Sequence, residues 1–381
     1  MDYNILLNDT VNFAQRLIQT PSMSKEEAQI AELVAQECRD LGFDEVWIDE
    51  IGNVNGRVFG QNPELGAIVL NTHLDHVDPG EPSLWSVSPF AGVVENGRLI
   101  GRGASDIKGP MAVQVYSLAA LLRNGERPKR DVVFTGVVQE EIGGAGARHW
   151  IKHLDYKVDL VVLGEPSDNQ IALGHRGLGQ FLVTFNGRSV HASVPQKGDN
   201  PNYKLAQFLL NLQSAQSQLS SHEILGATTV APTIVHVDTK SRNVTPAWTQ
   251  IVVDFRTASE SINSLTEFIH EMAGETNIIV EPIGHVPPES EWGKIIFGYY
   301  SPPESGFVQR SRQIIETGMG RETTFSSYSF GTDGRHFVAD GLPIIGYGPS
   351  LESQAHVVDE YVNLDKMLES LKGHVALLRE F

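Results

Sequence analysis

The chain has 381 residues, and 47 Asp and Glu stand against 29 Lys and Arg, so the formal net charge is −18. An acidic balance of this size argues against a nucleic-acid-binding protein, because contact with phosphate groups requires a basic surface. Hydrophobic residues make up 41% and charged residues 20% of the chain, which is typical of a globular protein of about two to three domains.

The first half of the chain alternates predicted helices and short strands. Apolar residues at helical spacing within 10–41 predict two amphipathic helices separated by the turn TPSMS. Three β-branched runs, at 67–70, 131–138 and 159–163, show no polar alternation, which is typical of strands buried on both faces. A helix is predicted at 111–125, between the first two runs. This alternation predicts an α/β fold with a mostly parallel central sheet flanked by helices.

The pattern changes at about residue 179. From there the predicted elements run strand, helix, strand, strand, helix, strand, which is typical of a ferredoxin-like α+β domain. A helix-like segment near 305–318 and the apolar run 341–349 then predict a return to the first domain. The predicted division is therefore a first domain of residues 1–178 and 289–381 and an inserted domain of residues 179–288.

Ionisable side chains follow each of the three apolar runs. His73 and Asp75 come after the first run, Glu140 and Glu141 after the second, and Glu165 after the third. Functional groups of an open parallel sheet gather just beyond the carboxyl ends of its strands. The sequence therefore predicts that these five side chains converge at one edge of the sheet.

Such a cluster requires positive charge, because several carboxylates packed together repel one another and are costly to desolvate. Asp106, in the glycine-containing loop GRGASDIKG, could join it. A single cysteine, Cys38, excludes a cysteine-built metal site. Imidazole and carboxylate ligands favour zinc, with manganese or cobalt as alternatives. Two divalent ions would balance three carboxylates and one hydroxide, so a two-metal site is predicted.

Local spacing indicates roles for some of these residues. In an extended segment, residues i and i+2 lie on the same side, so Asp75 is placed to accept the second ring N–H of His73. Glu140 and Glu141 are adjacent and should point in different directions. One of them can then be a metal ligand while the other serves as general base.

Five ordered motifs carry a family resemblance: THLDHVDPG, GRGASDIKGPMA, VQEEIGG, GEPSD and QAHVVDEY. In this order they resemble the zinc-dependent exopeptidase and amidase superfamily, which includes acetylornithine deacetylase, succinyl-diaminopimelate desuccinylase, aminoacylase and glutamate carboxypeptidase. The resemblance covers almost the whole chain and extends to the closing segment SSYSFGTDGRHF.

The resemblance implies a role for each site residue. It implies that His73 and Glu165 bind one metal ion and that Glu141 and His356 bind the other. Asp106 would bridge the two ions, and Glu140 would be the general base. It also implies that the inserted domain is a lid through which two copies dimerise, and that His191 of the partner subunit stabilises the oxyanion. Arg256, Asn243 and the loop with Gly331 and Thr332 match positions at which relatives hold substrate. Several of these roles have plainer alternatives: for example, His356 could be a surface histidine, His191 could cap a strand, and Arg256 could pair with an acidic neighbour.

The resemblance implies cleavage of the amide bond of an N-acyl amino acid. The alternatives are a metallo-carboxypeptidase or dipeptidase acting on small peptides, a carbamoyl-amide hydrolase, and a binding protein that keeps the fold without catalysis. Glu at position 165, where other relatives have Asp, favours the deacylases and carboxypeptidases. The chain has no apolar run near the roughly 20 residues of a membrane span and no signal sequence at its start. We therefore expect a cytoplasmic enzyme with a small-molecule substrate and no membrane or nucleic-acid partner.

Overall fold

The computed structural model describes residues 1–274, 276–283 and 298–381. They form two compact units: unit 1, of residues 1–174, 300–328 and 332–381, and unit 2, of residues 175–299 and 329–331, in each case as far as they are described. Residues 284–288, at the end of the predicted inserted domain, and residues 289–297, at the start of the predicted second segment of the first domain, lie outside the described residues. The predicted limits of the two domains therefore stay a prediction.

The described residues form the following helices and strands. The helices are α1 (Tyr3–Ile18), α2 (Ala28–Asp40), α3 (Gly109–Arg123), α4 (Ala145–Lys152), α5 (Pro201–Ser214), α6 (Ile262–Ala273), α7 (Gly306–Met319), α8 (Gly334–Ala339) and α9 (Leu364–Glu380). The strands are β1 (Glu45–Ile48), β2 (Val54–Val58), β3 (Ala67–His73), β4 (Val93–Glu95), β5 (Arg98–Ile100), β6 (Val132–Val137), β7 (Val158–Leu163), β8 (Ile171–His175), β9 (Gly177–Asn186), β10 (Ser221–His222), β11 (Gly226–Ala227), β12 (Thr229–Val237), β13 (Trp248–Thr257), β14 (Ile278–Ile283), β15 (Tyr299–Tyr300), β16 (Phe325–Tyr328), β17 (Ile344–Gly346) and β18 (Tyr361–Asn363).

Unit 1 is built on a large central sheet with the strand order β1-β2-β6-β3-β7-β17-β8-β15. Its middle strands β6, β3, β7 and β17 are parallel, and antiparallel strands lie on either side of them. Every residue of β3 and β6 is buried, since helices such as α3 cover the sheet. The prediction of an α/β fold with a mostly parallel sheet is confirmed.

The register of the parallel strands decides where their ends lie. His73, the last residue of β3, is paired with Val137, the last residue of β6. On the other side of β3, Asn71 is paired with Leu163, the last residue of β7. The three strands therefore end at nearly the same height, and the residues that follow them emerge at one edge of the sheet.

Unit 2 contains a four-stranded antiparallel sheet with the order β12-β13-β9-β14. Helices α5 and α6 cover this sheet, and their apolar side chains, such as Phe208 and Leu265, form a common core with Phe181 and Val253 of the strands. The chain order β9, α5, β12, β13, α6, β14 and the strand order are those of a ferredoxin-like fold. The prediction of a ferredoxin-like α+β fold is confirmed.

None of the helices in the described part of the chain is long and apolar enough to cross a bilayer.

Candidate active site

His73 ends β3 with its imidazole buried at the edge of the sheet. Its Nδ1 lies 3.0 Å from the main-chain carbonyl oxygen of Asp75 and 3.5 Å from the Asp75 carboxylate, so Nδ1–H donates on this side. The carbonyl is therefore the nearer acceptor, although the carboxylate was the predicted one. The opposite nitrogen, Nε2, lies 3.0 Å from Oδ1 of Asp106. Holding the proton on Nδ1 leaves Nε2 as the donor atom for a cation.

Asp106 lies between two imidazoles. Its Oδ1 faces His73, and its Oδ2 lies 3.3 Å from Nε2 of His356. Burial raises the pKa of the Asp106 carboxyl, but the contacts with His356 and His73 outweigh it and leave the pKa below its ordinary value. One carboxylate with its two oxygens aimed at two different imidazoles is the arrangement that a residue shared by two metal ions would need.

Glu141 is the other carboxylate in contact with His356. Its Oε1 lies 3.0 Å from Nε2 of His356. The two carboxylates, Asp106 first and then Glu141, raise the pKa of His356 to about 10. The two carboxylates therefore favour positive charge at the position where they face His356.

Glu165 follows β7 and is buried beside His73, with 4.0 Å between its Oε1 and Nε2 of His73. Burial, and after it the negative charge of Asp106, raises the pKa of Glu165 well above its ordinary value. For His73, burial lowers the pKa, but hydrogen bonds with Asp106 and Asp75 raise it well above the ordinary value. The buried carboxylates of the cluster therefore carry more negative charge than its two imidazoles can neutralise.

The donor set fits divalent metal ions. Nitrogen and oxygen ligands at about 2.0–2.1 Å from a tetrahedral zinc ion lie about 3.3 Å from one another. The contacts of His73 and His356 with Asp106 and Glu141 span 3.0 to 3.3 Å. Donor atoms of His73, Asp106 and Glu141 all lie within 4.8 Å of one another. Their spacing and their chemistry match what zinc, or a similar ion, accepts from imidazole and carboxylate.

Asp75 organises the loop after β6 as well as His73. Its Oδ1 and Oδ2 accept hydrogen bonds from the main-chain N–H groups of Glu140 (3.1 Å) and Glu141 (3.2 Å). Oδ2 also accepts a hydrogen bond from the Ser24 hydroxyl at 2.6 Å. A single buried carboxylate therefore fixes the position of both glutamates, and Ser24 was not among the predicted residues.

Glu360 holds the Asp106 loop and was also missed. Its buried carboxylate accepts hydrogen bonds from the N–H groups of Gly103, Ser105 and Asp106 and from the Arg102 guanidinium, at 2.5 to 3.1 Å. Burial raises the pKa of Glu360 to about 7 despite these contacts. Glu360 lies within the motif QAHVVDEY, four residues after His356, and this was the available signal.

Glu140 lies in the loop after β6, and it forms no ion pair with the imidazole of His73 or of His356. Burial, and next the negative charge of Asp333, raises the pKa of Glu140 well above its ordinary value. Asp333 is itself buried, and burial raises its pKa to about 6. Neither carboxylate oxygen of Asp333 accepts a hydrogen bond within the described part of the chain, and the His336 ring lies 3.7 Å away. Asp333 was missed as well, although it stands in the segment GTDGR.

The remaining predicted residues are divided between the two units. His191, Asn243, Arg256 and Gly331 belong to unit 2, whereas Thr332 is buried in unit 1. His191 is exposed, and its Nδ1 lies 2.8 Å from the Ser193 hydroxyl. Arg256 forms an ion pair with Asp254 at 2.9 Å, which is the plainer alternative considered for it. Their roles towards substrate and oxyanion stay predictions.

Comparison with known protein families identifies the class of enzyme. The model of Peptidase family M20/M25/M40 matches residues 69–380. The chain belongs to this peptidase family. The matched range contains every member of the imidazole and carboxylate cluster described above. Membership makes the chain a hydrolase that acts on amide or peptide bonds, and the predicted superfamily is confirmed.

Individual relatives match this chain over most of its length. A protein of Escherichia coli strain K12 named YgeY, with no stated activity, is 28% identical over 364 residues, which are 92% of this chain and 89% of the relative. Succinyl-diaminopimelate desuccinylase of Thioalkalivibrio sulfidiphilus is 25% identical over 372 residues, 95% of this chain and 96% of the relative. Among solved structures, aminopeptidase PepT of Bacillus cereus covers 98% of both chains with a TM-score of 0.76 at 18% identity.

A second solved structure bears on the metal question. The Bacillus subtilis YXEP protein, described as a dinuclear metal-binding peptidase of the M20 family, covers 98% of both chains with a TM-score of 0.69 at 15% identity. At these identities the solved structures establish the shared fold.

Proposed function

We propose that this M20-family hydrolase is a two-metal amidohydrolase that removes the acyl group from an N-acyl amino acid. The observation that carries the proposal is the convergence of two imidazoles and three carboxylates, centred on the two oxygens of Asp106. This arrangement lies at the end of three parallel strands and needs cationic charge to be stable.

The contacts within the cluster support one assignment of the metal ligands. His73 and Glu165 would hold one ion, Glu141 and His356 the other, and Asp106 both. Zinc suits these donors best, and cobalt or manganese would also fit them. When bound, such ions polarise a carbonyl group and lower the pKa of a water molecule toward about 7. The dinuclear site described for the YXEP protein supports a count of two.

Glu140 would be the general base. Its pKa, raised by burial and by Asp333, brings the carboxylate closer to the pH at which a base can both take up and release a proton. Glu140 would accept a proton from the attacking water and deliver it to the leaving amine nitrogen. Asp75, through the Glu140 N–H, would keep the base in position during both transfers.

The substrate class rests on the relatives and on one residue. Three relatives named succinyl-diaminopimelate desuccinylase are 25% to 28% identical to this chain over nearly its whole length. By their names, they cleave an N-acyl amino acid derivative. Glu165, rather than Asp, also favours a deacylase or a carboxypeptidase. A dipeptidase remains the second candidate, since solved neighbours include the Saccharomyces cerevisiae dipeptidase Dug1p, with a TM-score of 0.69.

Unit 2 would serve as lid and as the surface through which two copies associate. Strand β12 is an edge strand with exposed apolar side chains at Ile234, Val235 and Val237, and an exposed edge of this kind favours pairing with a second chain. His191 would stabilise the oxyanion, and Arg256, Asn243, Gly331 and Thr332 would contact the substrate. Sedimentation analysis of the purified protein would show a dimer, and a monomer at all concentrations would contradict this part of the proposal.

Hydrolysis of a substrate panel tests the proposed function. Purified enzyme loaded with zinc is given N-acetyl and N-succinyl amino acids and dipeptides, before and after removal of metal by a chelator. We expect release of the free amino acid from an N-acyl substrate, loss of this activity on chelation and its return on adding zinc. Turnover of dipeptides alone would replace the deacylase by the dipeptidase, and activity that survives removal of the metal would overturn the two-metal proposal.

A further inference from the structure

A second group of imidazole and carboxylate side chains lies in unit 1, outside the active site. It consists of Glu50, His149 and His153, whose donor atoms all lie within 4.8 Å of one another. Glu50 is in the turn between β1 and β2, and the histidines are on and just after α4. The group lines a cavity of about 490 Å³ whose walls include Trp47 and Tyr156. Nothing in the proposed reaction uses these residues.

The two histidines have the spacing of a chelating pair. They are four residues apart, so their side chains lie on the same face of one helical turn. The ring centres of His149 and His153 are 4.2 Å apart. His153 donates a hydrogen bond from Nδ1 to the main-chain carbonyl of His149 at 2.8 Å. This bond fixes the tautomer and leaves Nε2 of His153 with a free lone pair, as in a histidine that binds metal.

Asp49 fixes the turn that carries Glu50. Its Oδ1 accepts hydrogen bonds from the main-chain N–H groups of Ile51, Gly52 and Asn53 at 2.9 to 3.1 Å. Because the Asp49 carboxylate is engaged in hydrogen bonds within the turn, Glu50 is the carboxylate that is available to a ligand. The exposed side chain of Glu50 lies with its Oε1 3.2 Å from Nε2 of His149, whereas Asp49 is 3.9 Å away.

Asn53 joins this turn to the start of α4. Its amide nitrogen donates to the carbonyl of Gly146 at 3.0 Å, and its Oδ1 accepts the N–H of Val138 at the same distance. Asn53 is fully buried. Trp150 of α4 adds a bond from its indole N–H to Asn55 in β2, at 2.9 Å. The two segments that carry the three donors are therefore held in place by buried hydrogen bonds, independent of any ligand.

We propose that Glu50, His149 and His153 form a binding site for one divalent transition-metal ion, with zinc as the best match. The distance between Glu50 and His149 equals, within about 0.2 Å, the separation of two ligands on a tetrahedral zinc ion. Two imidazoles and one carboxylate leave one coordination position open, and the adjoining cavity has room for water or another small ligand there. This site is separate from the two-metal cluster and does not depend on the proposed reaction.

Counting bound zinc tests this site without measuring activity. The purified protein is first equilibrated with zinc buffered well below the micromolar range, and the zinc that is bound at that stage is taken as the baseline. Free zinc is then raised through the micromolar range, and bound metal is measured by equilibrium dialysis and elemental analysis. We expect one additional equivalent. The His149→Ala and His153→Ala variants should each weaken this binding by at least the ~10- to 100-fold that loss of a supporting contact costs a metal site.

Two controls make the result specific. His270→Ala removes an exposed histidine from α6 in unit 2 and should keep the additional equivalent. Thermal melts followed by circular dichroism should show that all three variants stay folded, as expected for partly exposed side chains. If the wild-type protein takes up no further zinc, or if His149→Ala and His153→Ala both bind the additional ion as tightly as the wild type, the proposed site does not exist. Failure here would leave the baseline zinc, and hence the active-site proposal, untouched.

Discussion

At the scale of single residues, the candidate site depends on carboxylates that hold loops as well as on those that face the imidazoles. Asp75 fixes the loop of Glu140 and Glu141, and Glu360 fixes the loop of Asp106. The residues after the strands could be predicted from sequence, because a strand end is visible in the apolar pattern. Glu360 could not be selected in this way, since its partners are main-chain N–H groups more than 250 residues away.

Replacing the proposed base should separate catalysis from metal binding. In Glu140→Gln the side chain keeps its size but can no longer accept a proton, so kcat should fall by about 10²- to 10⁴-fold. Bound zinc, measured by elemental analysis, should stay near the wild-type amount. Glu64→Gln, on the exposed surface, is the matched control and should change neither quantity. A Glu140→Gln enzyme with near wild-type kcat would show that another group is the base.

Glu360→Gln tests whether the Asp106 loop is held for metal binding. The amide has one oxygen in place of two and no charge, so it cannot accept the four hydrogen bonds that Glu360 receives. We expect zinc affinity to fall by roughly 10- to 100-fold, as for other groups that orient metal ligands. Competition with a chromophoric chelator measures this affinity, and the exposed Glu322→Gln provides the control. Equal zinc affinity in the wild type and in Glu360→Gln would remove the positioning role from Glu360.

At the scale of elements, the site is a product of strand register. The parallel pairing of β3 with β6 and β7 ends the three strands side by side, which brings His73, the glutamate pair and Glu165 to one edge. The apolar runs predicted these strands, and their alternation with helices predicted a mostly parallel sheet. It carries no information on loop conformation, and so the contacts of Asp106 with two imidazoles and the placement of Asp333 beside Glu140 required the structure.

The loop between β6 and α4 provides a test at this scale. Gly144, which precedes α4, has a φ of 73°, and a Cβ atom there would overlap the carboxylate of Asp333 and the ring of His336. Gly144→Ala should therefore destabilise the fold by at least ~1 kcal/mol and lower kcat by displacing Asp333. Gly143→Ala also has a positive φ, but its Cβ would meet no atom within 4 Å, so it controls for backbone strain. If the two variants have the same kcat, the contact with Asp333 has no catalytic importance.

At the scale of the whole molecule, the domain organisation can be predicted from the sequence, whereas substrate choice cannot. The division into a central-sheet unit and a ferredoxin-like unit follows from the period of the apolar residues, which is a property of each segment. Substrate choice depends instead on individual side chains, and the residues proposed to contact substrate, such as Arg256 and Asn243, follow no recognisable pattern of spacing or charge. The reaction class could therefore be predicted from the sequence, and the acyl group could not.

Global stability should depend on pH through a histidine remote from catalysis. Burial lowers the pKa of His374, in α9, from its ordinary value of 6.5 to about 4. Between these pH values the unfolded chain therefore binds a proton that the folded chain does not. The contribution of His374 to the free energy of unfolding is complete above pH 6.5 and is lost as the pH falls toward 4. The loss amounts to about 3 kcal/mol at most.

His374→Phe removes this titration and keeps a ring against Tyr347, whose ring centre lies 4.7 Å from that of His374. We expect urea unfolding at pH 7 and pH 5 to show a smaller loss of stability in this variant than in the wild type. His270→Ala, at an exposed position, should keep the wild-type pH dependence. An identical loss in His374→Phe and the wild type would show that His374 does not contribute.

The most direct test of the central claim is an anomalous diffraction measurement at the zinc absorption edge on crystals of the zinc-loaded protein. Two anomalous peaks are predicted at the edge of the central sheet, one in contact with His73 and Glu165, the other with Glu141 and His356, and both within bonding distance of Asp106. Full zinc occupancy elsewhere, with no peak among these five side chains, would contradict the account, because the buried carboxylates would then need another source of positive charge.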